Sequence, residues 1–95
     1  MQFSRELHDD IAAGDITVTF RLWQRQQVKV GGRYRVGHCV IAVDSIDTVA
    51  FSDIGPADVR RAGEPDRETL RRRAAHAGPI EDDTPLYRIT FHVVG

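Results

Sequence analysis

The chain is short of the residues that staple or wire small proteins. A single cysteine, Cys39, excludes an internal disulfide and a thiolate zinc cage. Lys29 is the only lysine among thirteen basic residues, so arginine carries nearly all the positive charge. No apolar run approaches the roughly 20 residues that span a bilayer. The start, Met1 to Glu6, lacks the basic-then-apolar pattern of a secretory signal. There is no internal repeat, no low-complexity tract and no linker between two cores. With 41% hydrophobic and 28% charged residues, these absences predict one cytoplasmic domain spanning 1–95, with no membrane partner.

What the chain does have is an uneven charge pattern beneath a net charge of -1. Residues 16–43 carry Arg21, Arg25, Lys29, Arg33 and Arg35 without one acid; residues 44–59 carry Asp44, Asp47, Asp53 and Asp58 without one base. Arginine suits bidentate phosphate contacts and stacking on bases. A GC-rich genome raises arginine usage equally well, with no ligand involved.

Hydrophobic spacing predicts the elements. Ser4 is a good N-cap, and Phe3, Leu7 and Ile11 recur every four residues, so a helix over about 5–13 stops at Gly14. Residues 16–22 alternate strictly, with Ile16, Val18, Phe20 and Leu22 toward a core and Thr17, Thr19 and Arg21 forming a polar row open to a ligand. A hairpin about Gly31-Gly32 sets charge against charge or against apolar groups, so 24–32 reads as an exposed basic loop before a strand from Arg33. The run from Cys39 to Phe51 changes parity near Asp44-Ser45, as a β-bulge does. Pro56 starts a short helix ending at Gly63, Asp66 caps another over about 67–76, and a strand over 86–94 closes the chain. The expectation is an α+β fold: a small, mostly antiparallel β-barrel with an N-terminal helix and two short helices before the last strand.

Most chemical constellations have plain readings. His8, His38, His76 and His92 fall on separate elements without ligand spacing, which predicts no metal. Cys39 opens an apolar strand and reads as a buried small hydrophobe. No Ser-His-Asp spacing suggests a triad. Arg71-Arg72-Arg73 point about 100° apart on a helix and read as a solvated surface, with Glu68 pairing Arg72. Trp23, between Arg21 and Arg25, fits two roles, stacking a base or closing one end of the barrel.

The segment Gly14-Asp15-Ile16-Thr17-Val18-Thr19-Phe20-Arg21 resembles the ASCH domain family, relatives of the PUA fold. The family signature Gly-x-Lys-x-x-Thr-x-Arg is matched at Gly14, Thr19 and Arg21, and the resemblance extends to Val30–Gly37 and Tyr87–Phe91. It implies a β-barrel, a cleft beside the motif and a role in binding RNA or modified nucleosides. One branch of small members hydrolyses N4-acetylcytidine with the motif Lys and Thr and a Glu on the helical segment. Thr19 matches the Thr and Glu64 is similarly placed to the Glu, but Ile16 occupies the Lys position. Isoleucine neither accepts a proton nor stabilises negative charge.

Three expectations result, none requiring a cofactor. The first is an RNA- or nucleotide-binding module, with Arg21, Arg25, Lys29, Arg33 and Arg35 attracting phosphate, Trp23 stacking and Thr19 hydrogen bonding. The second is an amidohydrolase of N4-acylated cytidine-type nucleosides that uses Thr19 as nucleophile and Glu64 as proton carrier. The third is a protein-interaction module whose basic and acidic segments complement each other between copies.

Overall fold

A computed structural model describes residues 2–75 and 78–95. A 3-10 turn, Arg5–Leu7, leads into helix α1, His8–Ala13, and then strand β1, Val18–Arg21. Strands β2, Arg33–Val36, and β3, Cys39–Ala50, follow. A 3-10 turn at Phe51–Asp53, helix α2 at Pro56–Arg61 and helix α3 at Arg67–Ala74 precede the last strand β4, Pro85–Val93. The four strands form one antiparallel sheet in the order β1-β4-β3-β2.

The α+β class, the N-terminal helix and the two short helices before the last strand are as the sequence predicts, but the sheet does not close into a barrel. Strands β1 and β2 are its two edges and do not pair with each other. Closure commonly takes more strands than four. The sheet curls instead: Ile16, leading into β1, packs in one cluster with Val36 and Cys39 at the other edge, and with Leu7 and Ile11 of the N-terminal segment. That segment fills the space a closing strand would occupy.

Both faces of the sheet are therefore covered. The inner face carries Ile41, Val43, Ile89 and Phe91, packed by the N-terminal segment and by Val28. The other carries Val18, Phe20 and Leu86, packed by Val59 of α2 and by Leu70 and Ala74 of α3. Alternation along β4 predicts an outward row of Arg88, Thr90 and His92, and this row shares the helix-covered face and is only partly solvated. Arg88 forms a two-pronged ion pair with Asp58 of α2, both contacts at 3.0 Å.

Local chemistry explains the details. Asp66 accepts from the Thr69 N–H at 2.7 Å and starts α3. The register slips between Val43 and Ser45, at the expected bulge. Ser4 makes no side-chain cap, and a 3-10 turn replaces the first expected turn of α1. The loop over 24–32 is not wholly exposed, because Val28 is buried at its centre. The hairpin lies elsewhere, at Gly37-His38 between β2 and β3, where Gly37 has φ +59° as the first position of a type II′ turn requires. Among the described residues no helix is long and apolar enough to cross a membrane.

The hydrogen bonds from Arg88, with its charge, hold the Asp58 carboxyl below its ordinary value against the opposing effect of burial. The unfolded chain therefore takes up a proton at Asp58 before the folded one does, and the pair's stabilisation disappears as pH falls through and below about 4. Urea midpoints should fall more steeply with acid in the wild type than in Asp58→Asn; parallel acid limbs would refute this.

Candidate ligand cleft

The two layers that sandwich the sheet diverge at the free edge of β1, leaving a cleft of about 400 Å³. Phe3, Ser4 and Leu7 line it on one side; Ala62, Glu64, Leu70 and Arg73 line it on the other, with Thr19, Phe20 and Arg21 of β1 between. Thr19 and Arg21 of β1 thus meet Glu64, from a distant part of the sequence, in one cavity.

Arg21 is its central charge. Its Nε donates to Thr19 Oγ1 at 3.1 Å and its Nη2 to the Gln2 carbonyl at 2.5 Å. The guanidinium carbon lies 4.8 Å from the Phe3 ring centroid. No carboxylate of the described residues forms an ion pair with it. Burial pulls the Arg21 pKa down to about 10, which still leaves it protonated at neutral pH. Thr19 is buried and its hydroxyl, already accepting from Arg21, keeps a proton to donate.

Glu64 sits opposite, its side chain only 5% exposed, with Oε2 at 2.8 Å from Arg73 Nε. Arg73 also pairs with Glu6 of the N-terminal turn, so one guanidinium ties both walls of the cleft together. Burial raises the Glu64 pKa and Arg73 opposes that rise. The arrangement offers a guanidinium without a carboxylate partner among the described residues, a hydroxyl donor, an aromatic ring and a buried carboxyl whose pKa is raised by desolvation.

The other expected residues are dispersed. Trp23 is half-buried, tilted at 44° on Tyr87 with centroids 5.8 Å apart, and its ring lies 6.0 Å from the Arg21 guanidinium. Packing accounts for one side of the indole and leaves part of it accessible beside Arg21. Arg25, Lys29, Arg33 and Arg35 are exposed and do not line the cleft. Arg33 and Arg35 pair with Ala42 and Val40, on the sheet face opposite Tyr34 and Ile41. Arg35 borders a smaller hollow with Gln2, Phe3 and His8, on the far side of the N-terminal segment from Arg21.

Ile16, at the motif Lys position, is core, 2% exposed and beneath Gly63. Gly63 has φ +80°, and a Cβ there would collide with Ile16 Cδ1. Cys39 is buried, its thiol donating to the Val36 carbonyl. Among the described residues no three His, Cys, Asp or Glu side chains converge as a metal site, and His76 lies outside those residues.

Two cleft residues, Phe3 and Arg73, had no functional reading in the sequence, nor did Glu6, which pairs with Arg73. The arginine triplet does fan out around α3, but not into solvent alone. Arg71 donates to the Ile80 carbonyl and pairs with Glu68, Arg72 reaches Thr69 Oγ1, and Arg73 enters the cleft. The expected Glu68–Arg72 pair is thus replaced by Glu68–Arg71 at i,i+3. The angular spacing of the triplet was a signal that one arginine would face the core side.

The chain is similar in structure to the ASCH domain of Lactobacillus crispatus JV V101, at 19% identity and a TM-score of 0.77, covering 93% of this chain and 70% of that one. A protein of Enterococcus faecalis V583, from a domain family of unknown function, gives 14% identity and a TM-score of 0.74 over 94% and 67% of the two chains. A hypothetical protein gives 18% and 0.74 over 99% and 96%. No family model and no curated protein matches the chain. The fold is ASCH-like.

Two measurements check the site's chemistry. In an NMR pH titration the Glu64 carboxyl should titrate above the ordinary glutamate value and rise further in Arg73→Gln, which removes the opposing charge; an ordinary value in both would refute the desolvated site. Ile16→Lys should lose more than about 2 kcal/mol of stability, because it buries an ammonium among apolar groups. Urea unfolding that matches the wild type would place residue 16 at the cleft instead.

Proposed function

We propose that the protein binds a phosphate-bearing nucleoside, free or at the end of a short single-stranded RNA, in the cleft beside β1. The observation that carries this reading is Arg21: a partly buried, charged guanidinium in a cavity, with no carboxylate counter-ion among the described residues. Such a cation is poised for an external anion. Thr19 supplies a hydrogen-bond donor, the accessible part of Trp23 a stacking surface, and the exposed Arg25, Lys29, Arg33 and Arg35 long-range attraction. The likeness to an ASCH domain supports the placement of the ligand beside the motif.

A second reading rests on Thr19 and Glu64 lining the same cleft. A hydroxyl and a carboxyl in one cavity are parts an amidohydrolase of N4-acylated cytidines needs. Against it, Ile16 supplies no base, and the cleft's remaining cation, Arg73, is engaged by Glu6 and Glu64. Incubation with N4-acetylcytidine, with chromatography for cytidine, separates the two readings.

Trp23 is the only tryptophan, so its fluorescence reports from beside Arg21. Short single-stranded RNA should quench it, and Arg21→Gln should abolish the response. Two cations in the cleft predict a log-log salt slope of about -0.7 to -1.4, against about -3.5 were all five bases of residues 16–43 on phosphates. Arg25→Gln with Lys29→Gln should leave that slope intact. A flattened slope would move the phosphates to the loop, and no quenching at low salt would end the reading.

A further inference from the structure

Both arginines of the cleft already have partners from the chain's own N-terminal segment. The Gln2 carbonyl accepts from Arg21 Nη2, the Phe3 ring lies against the same guanidinium, and the Glu6 carboxylate pairs with Arg73. An acceptor oxygen, an aromatic ring and an anion are also what a nucleotide would present to these two arginines. The segment is otherwise lightly held. Gln2, Ser4, Arg5 and Glu6 are exposed, Ser4 makes no capping bond, and burial begins at Leu7. Phe3, half-buried, packs at the margin of the inner-face cluster, edge-on to Phe91 with centroids 5.6 Å apart, and its carbonyl meets His8 Nε2 at 3.2 Å.

We propose that residues Gln2–Glu6 are a built-in competitor for the cleft, displaced when a phosphate-bearing nucleoside takes over Arg21 and Arg73. The proposal rests on the reading of the cleft as a nucleotide site. Displacement trades the Gln2 carbonyl for a phosphate oxygen and the Phe3 face for a base, while Leu7 and Ile11 stay in the core as the hinge's fixed side. The apparent affinity is then reduced by the fraction of molecules in which the segment is seated, so weakening the seat tightens binding without touching the ligand.

The test uses the full chain and each of the four ribonucleoside 5′-monophosphates. NMR cross-peaks between the Phe3 and Phe91 rings should be strong in the free protein and vanish on saturation with a bound nucleotide. Glu6→Gln removes one exposed ion pair of the seat and should tighten binding by about two- to fivefold. Phe3→Leu, which keeps an apolar side chain against Phe91, should tighten it in the same direction. Binding that leaves the ring cross-peaks intact, or that is unchanged in both variants, overturns the displacement but spares the site. Absence of binding by the wild type and both variants overturns both.

Discussion

Strand β1 has a neighbour on one side only, and the rest of the architecture answers to that unpaired edge. An exposed edge strand presents unsatisfied backbone groups and needs cover. Here the chain covers it with two layers that diverge along β1 and are bridged by the Arg73–Glu6 pair. The Thr17 N–H donates to the Arg61 carbonyl at the end of α2, which fixes the helical layer. The N-terminal turn and α1 pack from the opposite face through Leu7, Ile11 and Ile16. Since one layer descends from α2 and α3 and the other from the start of the chain, their separation along β1 leaves a cavity rather than a seam. The cleft is thus a consequence of leaving the sheet open.

Electrostatics follow from the same geometry. Arg21 is at the last position of β1, where the edge strand reaches the cavity, so its guanidinium is withdrawn from water without entering the core. Burial of a cation costs stability unless it is paired, and in small domains such groups usually find a carboxylate. The acids closest to this cavity are otherwise engaged: Glu64 and Glu6 are both on Arg73, and Asp58 is on Arg88. Arg21 is left with a hydroxyl, a carbonyl and a ring, all neutral acceptors. The carboxylates here go to Arg73 and Arg88, and among the described residues none goes to Arg21.

Much of this was legible in the sequence wherever local chemistry decides structure. The parity change at Asp44-Ser45, the cap at Asp66, the stop at Gly14 and the burial of Cys39 each depend on a few neighbouring residues. Where tertiary packing decides, the reading failed. Alternation in β4 implied one wet face, yet Leu86 and Arg88 lie under helices that arrive from elsewhere in the chain. Val28 looked like one apolar residue in a basic loop, but it fills the inner face beside Val43 and Ile89. Gly37-His38 was passed over because Gly31-Gly32 is the louder turn signal. The Gly31 N–H instead donates to the Val43 carbonyl and carries the ladder beyond β2. Thr19, Arg21 and Glu64 were identifiable through their resemblance to a motif; Phe3 belonged to a helical stripe and Arg73 to an arginine triplet, but neither pattern pointed to the cleft, and only the fold brings them together with Glu6.

The split of the basic segment shows why charge counted along a sequence is a poor guide to charge at a surface. Five bases in 28 residues look like one patch, but a strand sends alternate side chains to opposite faces and a hairpin turns its direction. Arg21 and the Trp23 ring are at the β1 edge, while Arg33 and Arg35 are on β2, the opposite edge of the sheet. What brings these edges near each other is the curl, and the N-terminal segment lies between them: Gln2 and Phe3 border the cavity of Arg21 and also the hollow of Arg35. The same six or so residues that stand in for a missing strand therefore separate two groups of arginines. A ligand that engaged both groups would have to cross or move that segment, so the gap in the sheet sets the size of what the cleft can hold as well as its position.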